Sequence, residues 1–136
     1  MINTIDPAVV EFANEAFYLA FNSGDLAAMA DLWAADSPVS CIHPGWRPIL
    51  DRDEILQSWA RIFQNRGEDR QIHCHTLKVM NHGHCYSVVC YEQMAGAVLV
   101  AMNSFVLESG ELKLVHHQGG QCMDPPDLDS APQTIQ

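Results

Sequence analysis

The chain reads as an α+β domain in which three helices precede a run of antiparallel strands. Two observations carry this. Apolar residues recur at helical spacing through the first 65 positions, and from Arg70 onward the pattern changes to extended runs separated by tight-turn signals. Helices and strands that are segregated along the chain indicate α+β architecture, not a doubly wound parallel sheet. There is no internal repeat and no linker, so residues 1–122 form one domain. Residues 123–136, rich in Asp and Pro, are expected to be a disordered acidic tail.

The first helix starts at Asp6-Pro7, an N-cap followed by proline at the first helical position. It carries Val9, Phe12, Ala13, Ala16, Phe17 and Ala20, and Asn22-Ser23-Gly24 stops it. Asp25 caps a shorter second helix with Leu26, Met29, Ala30, Leu32 and Trp33 on its apolar side. Ser37-Pro38 breaks the chain before a short apolar stretch, Val39 to Ile42. Asp51 and Glu54 form a capping-box variant at the start of the third helix, whose apolar side holds Ile55, Leu56, Trp59, Ile62 and Phe63. Strands follow over residues 71–80 and 84–93, joined at Asn81-His82-Gly83. Two more, over 97–108 and 111–118, are joined at Ser109-Gly110.

With 7 basic and 17 acidic residues, a net charge of −10, the surface repels phosphate backbones and anionic bilayers. Nucleic-acid and membrane partners are therefore not expected. No apolar run is long enough to span a bilayer, and the first residues lack the pattern of a secretory signal. Five cysteines, an odd number with no CxxC spacing, suit reduced thiols in a cytoplasmic protein.

Three phrases in order, FNSGDLAAMADLWAAD, CIHPGWRPILDRDEILQSWARIF and VLVAMNSFVLESGELKLVHHQ, span most of residues 8–118. On these the chain resembles the SnoaL-like branch of the nuclear transport factor 2 (NTF2)-like superfamily. The resemblance implies a cone: a strongly curved sheet wrapped around the first helix, enclosing a pocket. It also implies a homodimer formed through the convex face of the sheet. It does not settle function, because this fold hosts isomerases, dehydratases, cyclases, ligand binders and adaptors.

In ketosteroid-isomerase-like members an Asp-Pro pair follows the short early strand, and that Asp is the general base. His43-Pro44 stands at the corresponding place, so the resemblance points to His43 as a candidate base; an imidazole titrates nearest neutrality. The alternative for His43 is a ring that satisfies loop carbonyls at the turn. Tyr18 is a candidate acid or oxyanion donor of the kind those isomerases use, although it lies outside the apolar stripe of the first helix. Glu92 is a further acid whose direction the sequence does not fix.

Trp46 follows a glycine and can close one end of a pocket, or seal a core or dimer interface; Trp33 and Trp59 sit at core spacing. Asn103, an amide amid a β run, needs a partner, either a structural one or a ligand carbonyl. Alternation along 112–118 places His116 with Leu112 and Leu114 and His117 with Lys113 and Val115, so His116 is taken as the inward residue. His73, His75, His82 and His84 lie around one hairpin, but at different heights along the ladder, so no metal site is assigned and no cofactor is expected. The expected pocket, lined by His43, Trp46, Asn103 and His116, is mostly apolar and holds a small hydrophobic molecule. The alternative is a His-dependent isomerase, dehydratase or cyclase acting on a hydrophobic carbonyl compound.

Overall fold

A computed structural model describes residues 5–65, 67 and 70–128. The tail expected over 123–136 lies outside the described residues from position 129. Helices α1 (Pro7–Ser23), α2 (Leu26–Leu32) and α3 (Arg52–Asn65) precede and flank a single sheet. Its strands are β1 (Ser40–Ile42), β2 (His73–Asn81), β3 (Tyr86–Met94), β4 (Ala97–Glu108) and β5 (Glu111–Gln121), in the order β1-β5-β4-β3-β2. Only β1 runs parallel to its neighbour, β5; the other pairings are antiparallel.

The helix ends follow the cap chemistry. Asp6 accepts from the Ala8 amide and Asp25 from the Ala28 amide, while Gly24 takes the left-handed conformation (φ 62°) that ends α1. Helix α1 packs against β2, β3 and β5 alike, so the sheet curls around it. Its buried face differs from the expected stripe. Val10, Asn14, Phe17, Tyr18 and Phe21 point inward, whereas Val9 and Phe12 are 51% and 75% exposed. Phe17 and Ala20 of the expected stripe are buried, but the inward face includes two polar residues, so a count of apolar positions places the stripe off to one side.

Two irregularities reset the alternation of the strands. Phe105 pairs with Leu114 but Ser104 pairs with His116, leaving Val115 as an extra residue on β5. Thr76 pairs with Cys90 and Lys78 with Val89, leaving Leu77 extra on β2. Each is a β-bulge, which shifts every later residue of its strand to the opposite face. After Val115 the inward positions of β5 are therefore His117 and Gly119, opposite Asn103 and Ala101. His116 turns to the outer face, contrary to the expectation from simple alternation.

Candidate functional site

The stretch Cys41-Ile42-His43-Pro44-Gly45-Trp46 leaves β1 and makes a turn closed by the Trp46 amide donating to the His43 carbonyl at 2.9 Å. Pro44 fixes the first central position and Gly45, at φ 83°, the second, as in a type II turn. The turn aims His43 inward, where it is 3% exposed. Its ring packs edge-on against Trp59 (4.6 Å) and Trp46 (4.7 Å), and its Nε2 lies 2.8 Å from Ser58 Oγ. Ser58 already gives its one hydroxyl proton to the Ile55 carbonyl (2.6 Å). It can therefore only accept from His43, which places the imidazole proton on Nε2 and the lone pair on Nδ1.

Beside this ring, His117 begins a buried polar chain that crosses the interior. Its Nδ1 lies 2.6 Å from Asn103 Oδ1. The Asn103 amide donates to Asn14 Oδ1 (2.8 Å) and to Tyr18 Oη (3.1 Å). The Tyr18 hydroxyl in turn donates to Glu92 Oε2 at 2.5 Å. With both Asn103 amide hydrogens committed, its oxygen accepts from His117, so that ring keeps its lone pair on Nε2. Every member of the chain is at most 4% exposed.

Burial sets the protonation of this chain. Glu92 has its carboxyl pushed up to about 7 by desolvation, which the Tyr18 hydrogen bond partly offsets. His117 is pushed down to about 3 by burial and by the neighbouring imidazoles, and His43 to about 4 by burial. Tyr18 is raised well above the ordinary phenol value, by burial first and by the adjacent Glu92 second. Near neutral pH both imidazoles are thus uncharged, and Glu92 is the group poised to gain or lose a proton.

A row of small residues, Cys90, Ala101 and Gly119, crosses the inner face of the sheet between Asn103–His117 and Glu92. A Cβ at Gly119 would stand 3.5 Å from the Pro44 ring and 3.6 Å from Glu92 Oε1, so the missing side chain leaves room between the turn and the carboxyl. Oε1 has no hydrogen bond among the described residues. Trp59, 5.7 Å from His117 and 4.6 Å from His43, keeps its indole N–H buried without an acceptor among the described residues. An unmet donor and a free carboxyl oxygen therefore lie in the same region of the interior.

Of the residues singled out from sequence, His43, Tyr18 and Asn103 come together inside. Trp46 stands at the mouth, 41% exposed. His116 faces away and pairs with Ser40 Oγ at 2.6 Å. Asn14, Ser58, Trp59 and His117 were not expected to act here, and Glu92 had no assigned direction. The spacing Asn14-Phe17-Tyr18-Phe21 is itself a helical face and was the available signal for two of these positions. His73 and His75 stack at 5.0 Å, with His75 Nε2 2.8 Å from Gln93 Oε1, while His82 and His84 are exposed at the turn. No group of three or more His, Cys, Asp or Glu among the described residues is arranged to hold a metal ion. No helix among them is long and apolar enough to cross a membrane.

Comparison with known proteins agrees with this architecture. The SnoaL-like domain family matches residues 10–124, and the chain belongs to that family. A candidate dehydratase of the NTF2-like family from Streptomyces avermitilis is similar in structure, with a TM-score of 0.76 and 29% identity over 88% of this chain and 97% of that one. A ketosteroid isomerase-like protein from Erwinia carotovora atroseptica shares the fold, with a TM-score of 0.73 and 18% identity over 90% and 100% of the two chains. The F-box protein SKIP8 of Arabidopsis thaliana is 28% identical over 105 residues, 76% of this chain. The match spans 46% of that protein, so the chain accounts for less than half of the curated relative's length.

Proposed function

We propose that the chain binds a small hydrophobic carbonyl compound inside the cone and moves a proton on it without a cofactor, as an isomerase or a lyase of the dehydratase kind. The observation that carries this is Glu92: a buried carboxyl near 7, oriented through one oxygen by Tyr18, with the other oxygen open toward the space above Gly119. A general base works best when its pKa lies near the working pH, and the proton-transfer step contributes about 10²- to 10⁴-fold.

In this reading Glu92 Oε1 takes a proton from the carbon next to the ligand carbonyl. The electron pair left behind moves onto the carbonyl oxygen, where the unmet Trp59 N–H is a donor for the developing charge. Glu92 then returns the proton to another carbon, completing isomerisation, or to a departing hydroxyl, which leaves as water. The neutral imidazoles of His43 and His117 line the space as hydrogen-bonding walls. A second reading keeps His43 as the base through Nδ1, which the Cys41 Sγ approaches at 4.0 Å, a weaker base because its conjugate acid sits at about 4. The same proposal has two copies meeting through the outer face of the sheet, where Val89, Tyr91, Val100 and Met102 lie opposite the inward residues.

The test is a carboxyl-carbon NMR titration of selectively labelled protein, with Glu92→Gln identifying the signal, paired with hydrogen–deuterium exchange at the α-carbon of a hydrophobic ketone. A midpoint near 7, and loss of at least about 10²-fold of exchange in the variant, are expected. A midpoint in the ordinary carboxylate range, with exchange unaffected, removes Glu92 as the base.

A further inference from the structure

Two arginines line a hollow at the edge of the interior. The hollow there is lined by Phe21, Trp46, Arg61, Ile62, Arg70 and Met94, gathered from the end of α1, the turn after β1, α3, the approach to β2 and the end of β3. Among the described residues no acidic side chain lines it, although acids outnumber bases 17 to 7 in the sequence. Both arginines are exposed, and among the described residues the ion pair found is Lys113–Glu111, which involves neither guanidinium. Arg61 instead lies 5.7 Å from the centre of the Trp46 ring. Two guanidiniums beside apolar walls form a site for a planar anion, because the guanidinium fork matches a carboxylate or phosphate edge.

The hollow's lining residues adjoin the buried chain. Met94 is two residues beyond Glu92 on the same face of β3, a step of about 7 Å along the strand. Trp46 touches Arg61 on one side and His43, at 4.7 Å, on the other, so those two steps bound the distance from guanidinium to imidazole. Phe21 packs on Trp59, whose ring touches both imidazoles. A molecule reaching from the mouth to Glu92 thus spans only a short chain of bonds.

From this we infer that the ligand is a small hydrophobic acid. Its anionic head, a carboxylate or a phosphoryl group, is held by Arg61 and Arg70 while its apolar body extends past Trp46 and Phe21 toward Glu92. This names the ligand class of the interior site and rests on the proton-transfer reading above. It also accounts for the two arginines that line the hollow on a chain of net charge −10.

The test is calorimetric titration of the full chain with 4-phenylbutyrate, its uncharged isostere 4-phenylbutanamide, and 3-phenylpropyl phosphate. The carboxylate is expected to bind about tenfold tighter than the amide at low salt, the preference shrinking as salt rises. In the double variant Arg61→Gln, Arg70→Gln the preference should fall to parity with amide binding unchanged, and Arg61→Lys, Arg70→Lys should restore part of it. Tighter binding of the phosphate than of the carboxylate also supports the site and assigns it a phosphoryl head. Equal binding of acid and amide to the unaltered protein overturns the inference, as does an acid preference that survives the double Gln change. Absence of binding by all three probes at millimolar concentration overturns it too. The Glu92 titration needs no ligand, so it judges the proton-transfer reading separately.

Discussion

The two ends of the interior are equally dry and chemically opposite. At the closed end Trp33, Phe105 and Leu114 are at most 1% exposed, and they are tied together by the β4–β5 ladder and by a bridge from Trp33 to Leu114. At the open end Asn14, Tyr18, Glu92, Asn103 and His117 are buried almost as completely. Burial of apolar area stabilises the first group. In the second it is a cost, borne by a hydrogen-bonded chain, and it drives the acid and the imidazoles to unusual protonation. One end holds the fold together, and the other keeps proton-exchanging groups poised within it.

That division can be broken most forcefully at the closed end. Phe105→Ala is expected to remove about 3–5 kcal/mol of stability in denaturant unfolding, as large-to-small changes in packed cores do. It should leave the Glu92 titration in place, and a titration that moves with the stability would show that the two ends are one unit.

The next effect is at Glu92 and depends on pH. Its folded pKa, about 7, lies above the ordinary carboxyl value of 4.5, so between those values the folded state binds the extra proton. Stability from this group is therefore complete below about pH 4.5 and is lost as the pH rises through 7, by about 1.4 kcal/mol for each pH unit of that window. Glu92→Gln should raise stability by about 1–3 kcal/mol at pH 8 and change it little at pH 5. Thermal unfolding at the two pH values measures the difference. The imidazoles work in the other direction: His43 and His117, depressed to about 4 and 3, withdraw stability as the pH falls below their ordinary 6.5.

The smallest effect is at Gly119. Its added Cβ would meet Pro44 and Glu92 at ordinary contact distances, and its backbone is not in the left-handed region. Gly119→Ala should change stability by less than about 1 kcal/mol. Affinity for a ligand seated beside Glu92 should fall several-fold in the same calorimetric titration.

Much of the fold was legible because local rules decide it. Asp6-Pro7, Gly24 and Asp25 set the helix ends through backbone chemistry that needs no tertiary partner. The Ser109-Gly110 turn set the last hairpin in the same way. The His43-Pro44-Gly45-Trp46 turn was legible for the same reason, since proline and glycine each fix one position of it. The site was harder to read because its members are defined by what lies across from them. Tyr18 and Asn14 are inward because Glu92 and Asn103 receive them there, and no count of apolar residues on α1 contains that information. Glu92 sits in a strand with buried residues on both faces, where alternation does not tell inside from outside. His116 and His117 were exchanged by one unpaired residue that leaves no mark in hydrophobic periodicity.

That residue, Val115, also decides which side chains fill the interior. Were Val115 drawn into the ladder as an ordinary paired residue, plain alternation along β5 would turn His116 inward and His117 outward. Because the histidines are adjacent, an imidazole would face the interior in either register. The next inward residue would not be equivalent: Gln118 would take the place of Gly119, and its side chain would occupy the gap between Pro44 and Glu92. The bulge at this point of β5 thus decides whether glycine or glutamine stands between Pro44 and Glu92, while a ring faces the interior in either case.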